Sequence, residues 1–220
     1  MNPIFPSTFA RVISILIMQL ALVAGLSSAE TPDLRLVNAA ADQDTEAVEL
    51  LLDEGIDVNS ARADGVTALL WAAHWDDLSA AEILIAAGAN VNASDDHGIT
   101  PLERAAENAS LPMVKKLLAS GADANASQTS GLTPLMTAAR TGNLELIELL
   151  ISAGAGINAA TIETESTPLM WAVAEGHTDI VDALLRAGAN PSASTIPGFT
   201  PLMYAAQRGN IAIAKALLSA

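Results

Sequence analysis

The side chains of this 220-residue chain that could do chemistry are few and scattered. There are three histidines and no cysteine, which excludes disulfides, thiolate zinc sites and cysteine nucleophiles. His97 follows Asp95 and Asp96, and side chains of these types bind metals, but three neighbours in one turn seldom converge on one ion. Serines and acids are plentiful without a nucleophile–base pattern, and no Gly-rich phosphate loop occurs. The sequence therefore predicts no enzyme, no cofactor and no metal site.

Three methionines recur at one register position, Met136, Met170 and Met203. Thioethers suit Cu(I), so one interpretation is a soft-metal site. The other is packing, because flexible and polarizable methionine fills gaps between stacked helices. We interpret the three as packing residues that stack on one another.

Aromatic residues are rare, at 3% of the chain, but several share a position. Trp71, Trp171 and Tyr204 are equivalent, Trp75 lies one helical turn after Trp71, and Phe199 is expected at a hairpin tip. Trp, Tyr and Arg are enriched where proteins bind proteins. Packing between neighbouring helices is an equal alternative for the first three. For Trp75 we favour binding, because it lies nearer the end of its helix.

These residues belong to a phrase, typified by Thr-Pro-Leu-Met-Thr-Ala-Ala, that occurs five times. Its threonines are Thr67, Thr100, Thr133, Thr167 and Thr200, at steps of 33, 33, 34 and 33 residues. A regular period with units too small to own a core predicts a stacked-repeat solenoid. The abundance of alanine favours closely stacked helices.

Each copy predicts two helices and a loop. Threonine is a favoured N-cap and proline suits the first helical position, and Thr100 with Glu103 forms a capping-box pattern. Left-handed residues are expected to end the first helices, at Asp76, Ala109, Gly142, Gly176 and Gly209. An apolar second helix follows and stops at glycine, at Gly55, Gly88, Gly121, Gly154 and Gly188. A protruding, hairpin-like loop completes the unit.

This unit resembles the ankyrin repeat over nearly all of residues 33–220. Thr-Pro-Leu, then Ala-Ala, then Leu-Leu-x-x-Gly-Ala and Asn recur in one register. The resemblance implies an all-α solenoid of about six repeats with atypical terminal caps, at 33–65, 66–98, 99–131, 132–165, 166–198 and 199–220. The histidine usual after Thr-Pro-Leu is replaced by Leu70, Glu103, Met136, Met170 and Met203. We therefore expect its polar contact between neighbouring turns to be missing.

The resemblance also implies a function. In this family the first helices and hairpin tips form a concave groove that grips partner proteins. The residues of this chain predicted to bind a partner there are Trp71, His74, Trp75, Arg104, Glu107, Arg140, Trp171, Glu175, Phe199, Tyr204 and Arg208.

Residues 1–29 have the order of a secretory signal. A short segment without acids ends at Arg11, an apolar run spans residues 12–26, and Ser27-Ser28-Ala29 offers a cleavage site. The run is shorter than the roughly 20 residues of a spanning helix, which favours a cleaved signal over a retained anchor. The sequence thus predicts a repeat domain at 30–220 in the periplasm or outside a Gram-negative cell.

The hypothesis is an exported, monomeric and non-catalytic scaffold that binds a protein and is not inserted in the membrane once the signal is removed. The net charge of −15 disfavours nucleic acid and favours a partner with a basic or mixed surface. One alternative is a protective or immunity-like accessory of a periplasmic or envelope enzyme. Another, of a different class, is a metal-dependent hydrolase using His74 or His97.

Overall fold

The computed structural model describes residues 32–220, in which the chain forms twelve α-helices arranged as six consecutive pairs. The first helices of the pairs are α1 Arg35–Ala41, α3 Ala68–His74, α5 Pro101–Glu107, α7 Pro134–Thr141, α9 Pro168–Glu175 and α11 Pro201–Arg208. The second helices are α2 Thr45–Asp53, α4 Leu78–Ala86, α6 Leu111–Ala119, α8 Leu144–Ser152, α10 Thr178–Arg186 and α12 Ile211–Ser219. The described range contains no strand, so the predicted all-α repeat solenoid is confirmed. The predicted signal, residues 1–29, lies outside that range.

Capping side chains start the first helices where the sequence predicts. The hydroxyl of Thr133 accepts the backbone N–H of Met136, and the threonines of the four other copies bond in the same way. Proline occupies the first turn of α5, α7, α9 and α11, where its missing N–H leaves no hydrogen bond unmade. In the first repeat Leu34 stands at the cap position and makes no side-chain bond.

First helices end at left-handed residues, as predicted. Gly142, Gly176 and Gly209 have φ values of 82°, 83° and 68°. Asp76 and Ala109 hold the same place with φ of 55° and 52°, although they are not glycine. The backbone geometry of the turn is therefore kept even where its preferred residue is absent, because the stacked helices on both sides determine it.

The helices stack in two rows, first helix on first helix and second helix on second helix. The leucine of the repeated phrase is buried in α3, α5, α7 and α9, and so are both residues at its Ala-Ala position. Five of the second helices add a buried leucine, namely Leu84, Leu117, Leu150, Leu184 and Leu217, and α2 adds Val48. Small residues let the first helices approach one another closely, which explains an apolar core with few aromatic rings.

An asparagine ladder joins the turns that follow the second helices; its members are Asn59, Asn92, Asn125 and Asn158. The side-chain N–H of Asn92 donates to the carbonyl of Gly121 (3.0 Å), and its Oδ1 accepts the backbone N–H of Asp123 (2.8 Å). The other three asparagines make the same pair of bonds to the next repeat. Each ladder residue thus satisfies two backbone groups of its neighbour.

Hairpin tips are joined by backbone hydrogen bonds. The N–H of Asp96 donates to the carbonyl of Asp64 (2.9 Å), and the tips of the later repeats are linked in the same manner. In the loop with one extra residue, Glu165 has φ of 56° and takes the left-handed place that glycine holds elsewhere. The extra residue is therefore absorbed in the loop without breaking the stack.

Candidate functional site

The surface with the most varied side chains is the first-helix face, which we define by the fourth, seventh and eighth residues after each capping threonine and the hairpin tips beside them. All the helix residues predicted to bind a partner lie on it: Trp71, His74, Trp75, Arg104, Glu107, Arg140, Trp171, Glu175, Tyr204 and Arg208. They are partly buried at the fourth position and exposed at the seventh and eighth. The structure does not gather them into one site but divides them between two groups of rings and several separate residues.

The first group is an aromatic cluster formed by Trp71, His74 and Trp75 in repeat two. The indole rings of Trp71 and Trp75 are stacked with centroids 6.2 Å apart, and the imidazole of His74 meets both edge-on, at 5.5 Å and 4.7 Å. Trp75 is 44% exposed. Three rings held in contact make a rigid surface that loses little conformational freedom on binding.

A cavity of about 120 Å³ lies beside this cluster. Its walls come from repeats two and three: Val66, Leu70, Trp71, His74, Asp95 and Arg104. Arg104 is paired with Glu107 across one turn of α5, at 2.9 Å from Nη1 to Oε2. Asp95 was not among the predicted binding residues. The sequence does distinguish it, because among the repeats of this chain only Asp95 keeps the aspartate that the resemblance leads one to expect at this hairpin position.

The indole N–H groups show which tryptophans are part of the packing. Nε1 of Trp75 donates to the carbonyl of Ala41 in the preceding repeat (3.0 Å), so this exposed ring also holds two repeats together. Nε1 of Trp71 and Nε1 of Trp171 are buried and have no acceptor within residues 32–220. The rings of Trp71 and Trp171 are therefore partly packed into the stack, and partner binding at this shared position stays a prediction.

The second group lies at the C-terminal end of the face. The ring of Phe199 contacts that of Tyr204, with centroids 5.8 Å apart. Phe199 stands directly before the cap of α11, and its carbonyl accepts the N–H of Thr195 (2.9 Å), so it closes the hairpin instead of forming its tip. The hairpin tips nearby expose Ile162 and Ile196, which were not among the predicted binding residues. An apolar residue in a loop that is otherwise polar could have indicated them as candidates.

The remaining predicted residues stand singly. Arg140, Glu175 and Arg208 are exposed on three successive first helices and form no ion pair within the described part of the chain. Trp171 contacts no other aromatic ring in that range. Arginine side chains free of internal partners are available to a binding protein.

The candidate metal-binding side chains are occupied otherwise. Oδ1 of Asp95 accepts the backbone N–H of His97 and of Ile99, both at 2.9 Å, which closes the hairpin turn. Met136 and Met170 are buried, whereas Met203 is 53% exposed because α11 ends the described stack. Among residues 32–220 there is no group of three His, Asp or Glu side chains placed to hold a metal ion.

Glu103 corrects two sequence-based expectations. Its carboxylate does not turn back to Thr100 as a capping box requires; Oε1 accepts the hydroxyl of Thr137 and the side-chain N–H of Gln128 (3.2 Å). The predicted loss of polar contact between repeats is therefore wrong at this position. Burial raises the pKa of Glu103, although the bonds from Thr137 and Gln128 oppose the shift. Its second oxygen, Oε2, is buried and unpaired within the described residues.

Comparison with known families assigns the whole stack. The family model described as ankyrin repeats (3 copies) matches residues 36–128, 102–195 and 135–220. The chain belongs to the ankyrin-repeat family. Ankyrin repeats generally mediate protein–protein interaction, and the family is typically a non-catalytic binding scaffold. No curated protein matches the chain.

The ankyrin repeats account for the position of the candidate site. Residues at the repeat's constant positions are buried in the stack, so the residues left accessible on the first-helix face are the variable ones. Within residues 32–220, none of the helices has the length and apolar character needed to cross a bilayer.

Proposed function

We propose that the protein is an exported, monomeric ankyrin-repeat scaffold that holds a partner protein against its first-helix face. The observation that carries this proposal is the aromatic cluster of Trp71, His74 and Trp75, which lies beside a cavity and keeps Trp75 44% exposed. A monomeric solenoid would bury such rings in its core if they served packing alone. Fixed aromatic side chains with adjacent arginines are the composition of binding hot spots.

The charge distribution supports a partner with a basic or mixed surface. The net charge of −15 comes mostly from acids on the second helices and loops, whereas the first-helix face carries Arg104, Arg140 and Arg208 beside Glu107 and Glu175. A partner therefore approaches through a long-range negative field and meets both signs of charge at contact. The long-range electrostatic field speeds the encounter of the two proteins, and ion pairs formed at contact fix the position of the partner on the face.

The site is tested by partner capture from the native envelope fraction with Trp75→Ala and Arg140→Ala combined. We expect capture to weaken at least about tenfold, because a hot-spot ring and an unpaired arginine are both removed. Trp75→Ala also removes the hydrogen bond to Ala41, so circular dichroism must show that the variant is folded under the assay conditions.

Leu50→Ala is the matched control for this capture, since Leu50 is 59% exposed on a second helix and lies away from the face. Its capture should equal that of the unmodified protein. A folded Trp75/Arg140 double variant that captures the partner as well as the Leu50 variant does would refute the proposed site.

Export is tested on the protein recovered from outside the cytoplasmic membrane. We expect the intact mass to correspond to a chain that begins at Glu30, because Ser27-Ser28-Ala29 has the small residues that a signal peptidase reads. Recovery of the full-length chain from Met1 in that fraction would contradict cleavage. Recovery only from the cytoplasm would contradict export.

A further inference from the structure

We propose that the cavity between α3 and α5 binds one cationic side chain of the partner, an arginine or a lysine. This inference rests on the proposed function and deepens it, since it names the group that the first-helix face anchors. It depends on three features of the cavity: its size, its aromatic wall and the sign of its unpaired charge.

The cavity has the size of one side chain. Its volume of about 120 Å³ is close to that of an engineered protein cavity of about 150 Å³ that holds one benzene molecule. Val66 and Leu70 supply aliphatic walls on one side, and the rings of Trp71 and His74 supply the other. The methylene stem of arginine or lysine fits such walls, because these stems bury readily against apolar surface.

The aromatic wall favours a cation. The face of an indole ring carries negative potential, and it attracts a guanidinium or ammonium group that lies within about 6 Å of the ring centroid. Trp71 lines the cavity and stacks on Trp75, so its ring is held in place from behind. Arginine gains further from stacking its planar group on the ring.

The charge facing the cavity is also negative. Two charged side chains line it, and Arg104 is neutralised by Glu107 at 2.9 Å. Asp95 forms no ion pair within residues 32–220; its Oδ1 accepts two backbone N–H groups, which leaves Oδ2 free of protein hydrogen bonds. Of the acids on the adjoining hairpin tips, Asp64 is paired with Arg62 at 3.9 Å, whereas Asp96 forms no ion pair within the described residues. A cation is therefore the complementary occupant.

The other large depressions lack this combination. One of about 480 Å³ lies between α10 and α12 and is lined by Asp182, Leu185, Arg186, Ala216, Ser219 and Ala220. It has no aromatic wall, and Asp182 lines it together with Arg186, which carries the opposite charge. The cavity beside Trp71 is thus the place on the described chain where ring faces and an unpaired carboxylate meet.

The test is an NMR titration of the three tryptophan indole N–H signals with the tripeptide N-acetyl-Gly-Arg-Gly-amide. Matched peptides carry citrulline, which has the same shape without the charge, or glutamate. We expect saturable shifts at Trp71 and Trp75 with the arginine peptide only, and none at Trp171. The affinity should fall as salt is raised, because Asp95 is partly exposed to solvent.

Asp95→Asn keeps an oxygen for the two turn hydrogen bonds and removes the charge. This substitution should weaken binding of the arginine peptide about twofold to fivefold, which is the change in affinity expected when one exposed charge pair is lost. Asp96→Asn is the matched control: it removes an equal charge one residue away, outside the cavity wall, and should weaken binding less.

Four outcomes would overturn the proposal. They are equal binding of the citrulline peptide, tighter binding of the glutamate peptide, parallel shifts at Trp171, and an unchanged affinity in a folded Asp95→Asn variant. None of these outcomes bears on the capture experiment, which uses the native partner and replaces Trp75 and Arg140 instead of Asp95. Failure of the cationic pocket would therefore leave the proposed scaffold function standing, and failure of capture would be seen separately.

Discussion

Replacing Leu150 by alanine is expected to lower the free energy of unfolding by about 2–5 kcal/mol. Leu150 lies in α8 with none of its surface exposed, and it packs between the second helices of the neighbouring repeats. The substitution removes buried apolar atoms and leaves a cavity that the stacked helices fill only in part. Equilibrium urea unfolding, followed by helical circular dichroism, measures the change.

The matched control is the same substitution at Leu50, which also lies in a second helix but is 59% exposed. Leucine and alanine have similar helix propensities, so Leu50→Ala should change stability by less than about 0.5 kcal/mol. A loss below about 1 kcal/mol for Leu150→Ala would mean that the register assigned to α8 is wrong. Coincident transitions at more than one wavelength are needed before either curve is converted to a free energy.

Replacing Glu103 by methionine together with Thr137 by valine is expected to stabilise the protein by about 1–3 kcal/mol at neutral pH. Valine is included because the buried hydroxyl of Thr137 would otherwise lose its acceptor. The same register position holds Met136 and Met170 in the next two repeats, and both are buried there. Methionine therefore fits the space, and the substitution removes a carboxylate whose Oε2 is buried without a partner. Thermal or urea unfolding of the two proteins side by side gives the difference.

This gain should disappear in acid. Burial raises the pKa of Glu103 above its ordinary value when the protein is folded. When the pKa of a carboxyl group is higher in the folded protein than in the unfolded chain, its contribution to stability is fully present below the pKa of the unfolded chain, about 4.3 for glutamate. That contribution is lost as the pH rises through the pKa of the folded protein. The methionine variant has no carboxyl group at this position and does not lose this stability. The difference in free energy of unfolding between the variant and the natural chain should therefore grow from about pH 4 upwards and then level off.

Glu103→Gln separates charge from shape. Glutamine keeps an oxygen for the hydroxyl of Thr137 but cannot ionise, so its stability relative to the natural chain should show the same dependence on pH. A difference that stays constant between about pH 4 and neutral pH, or a methionine variant that is less stable at neutral pH, would contradict the account.

Much of the fold follows from residues that repeat. Thr133 with Pro134 specifies a helix start through chemistry that is local in sequence, and Gly142 specifies its end in the same way. Ala138 and Ala139 favour close packing because their small side chains let the stacked helices approach one another. Each signal concerns a few neighbouring residues and recurs in at least three repeats, so the sequence alone is sufficient to predict it.

The parts of the site that could not be predicted depend on contacts across repeats. Glu103 matched a local capping pattern, yet its carboxylate bonds to Thr137, which is 34 residues away. Trp75 was predicted to be a binding residue, and its indole bond to Ala41, also 34 residues away, shows that it has a structural role as well. A local sequence pattern cannot show which residue of the next repeat accepts or donates such a hydrogen bond. The partner depends on distances between side chains that are fixed only once the repeats have stacked.

The asparagine ladder has a mechanical consequence. Asn59, Asn92, Asn125 and Asn158 place the same short side chain between successive turns, with hydrogen bonds of 2.7–3.3 Å. A side chain of fixed length acts as a spacer, so this edge of the solenoid resists stretching equally at every joint it spans. The first helices have no such constant spacer at the fourth residue after the capping threonine, where tryptophan, arginine and threonine succeed one another. The widths of these individual side chains therefore decide the local spacing of the candidate binding residues, and a partner must match that spacing.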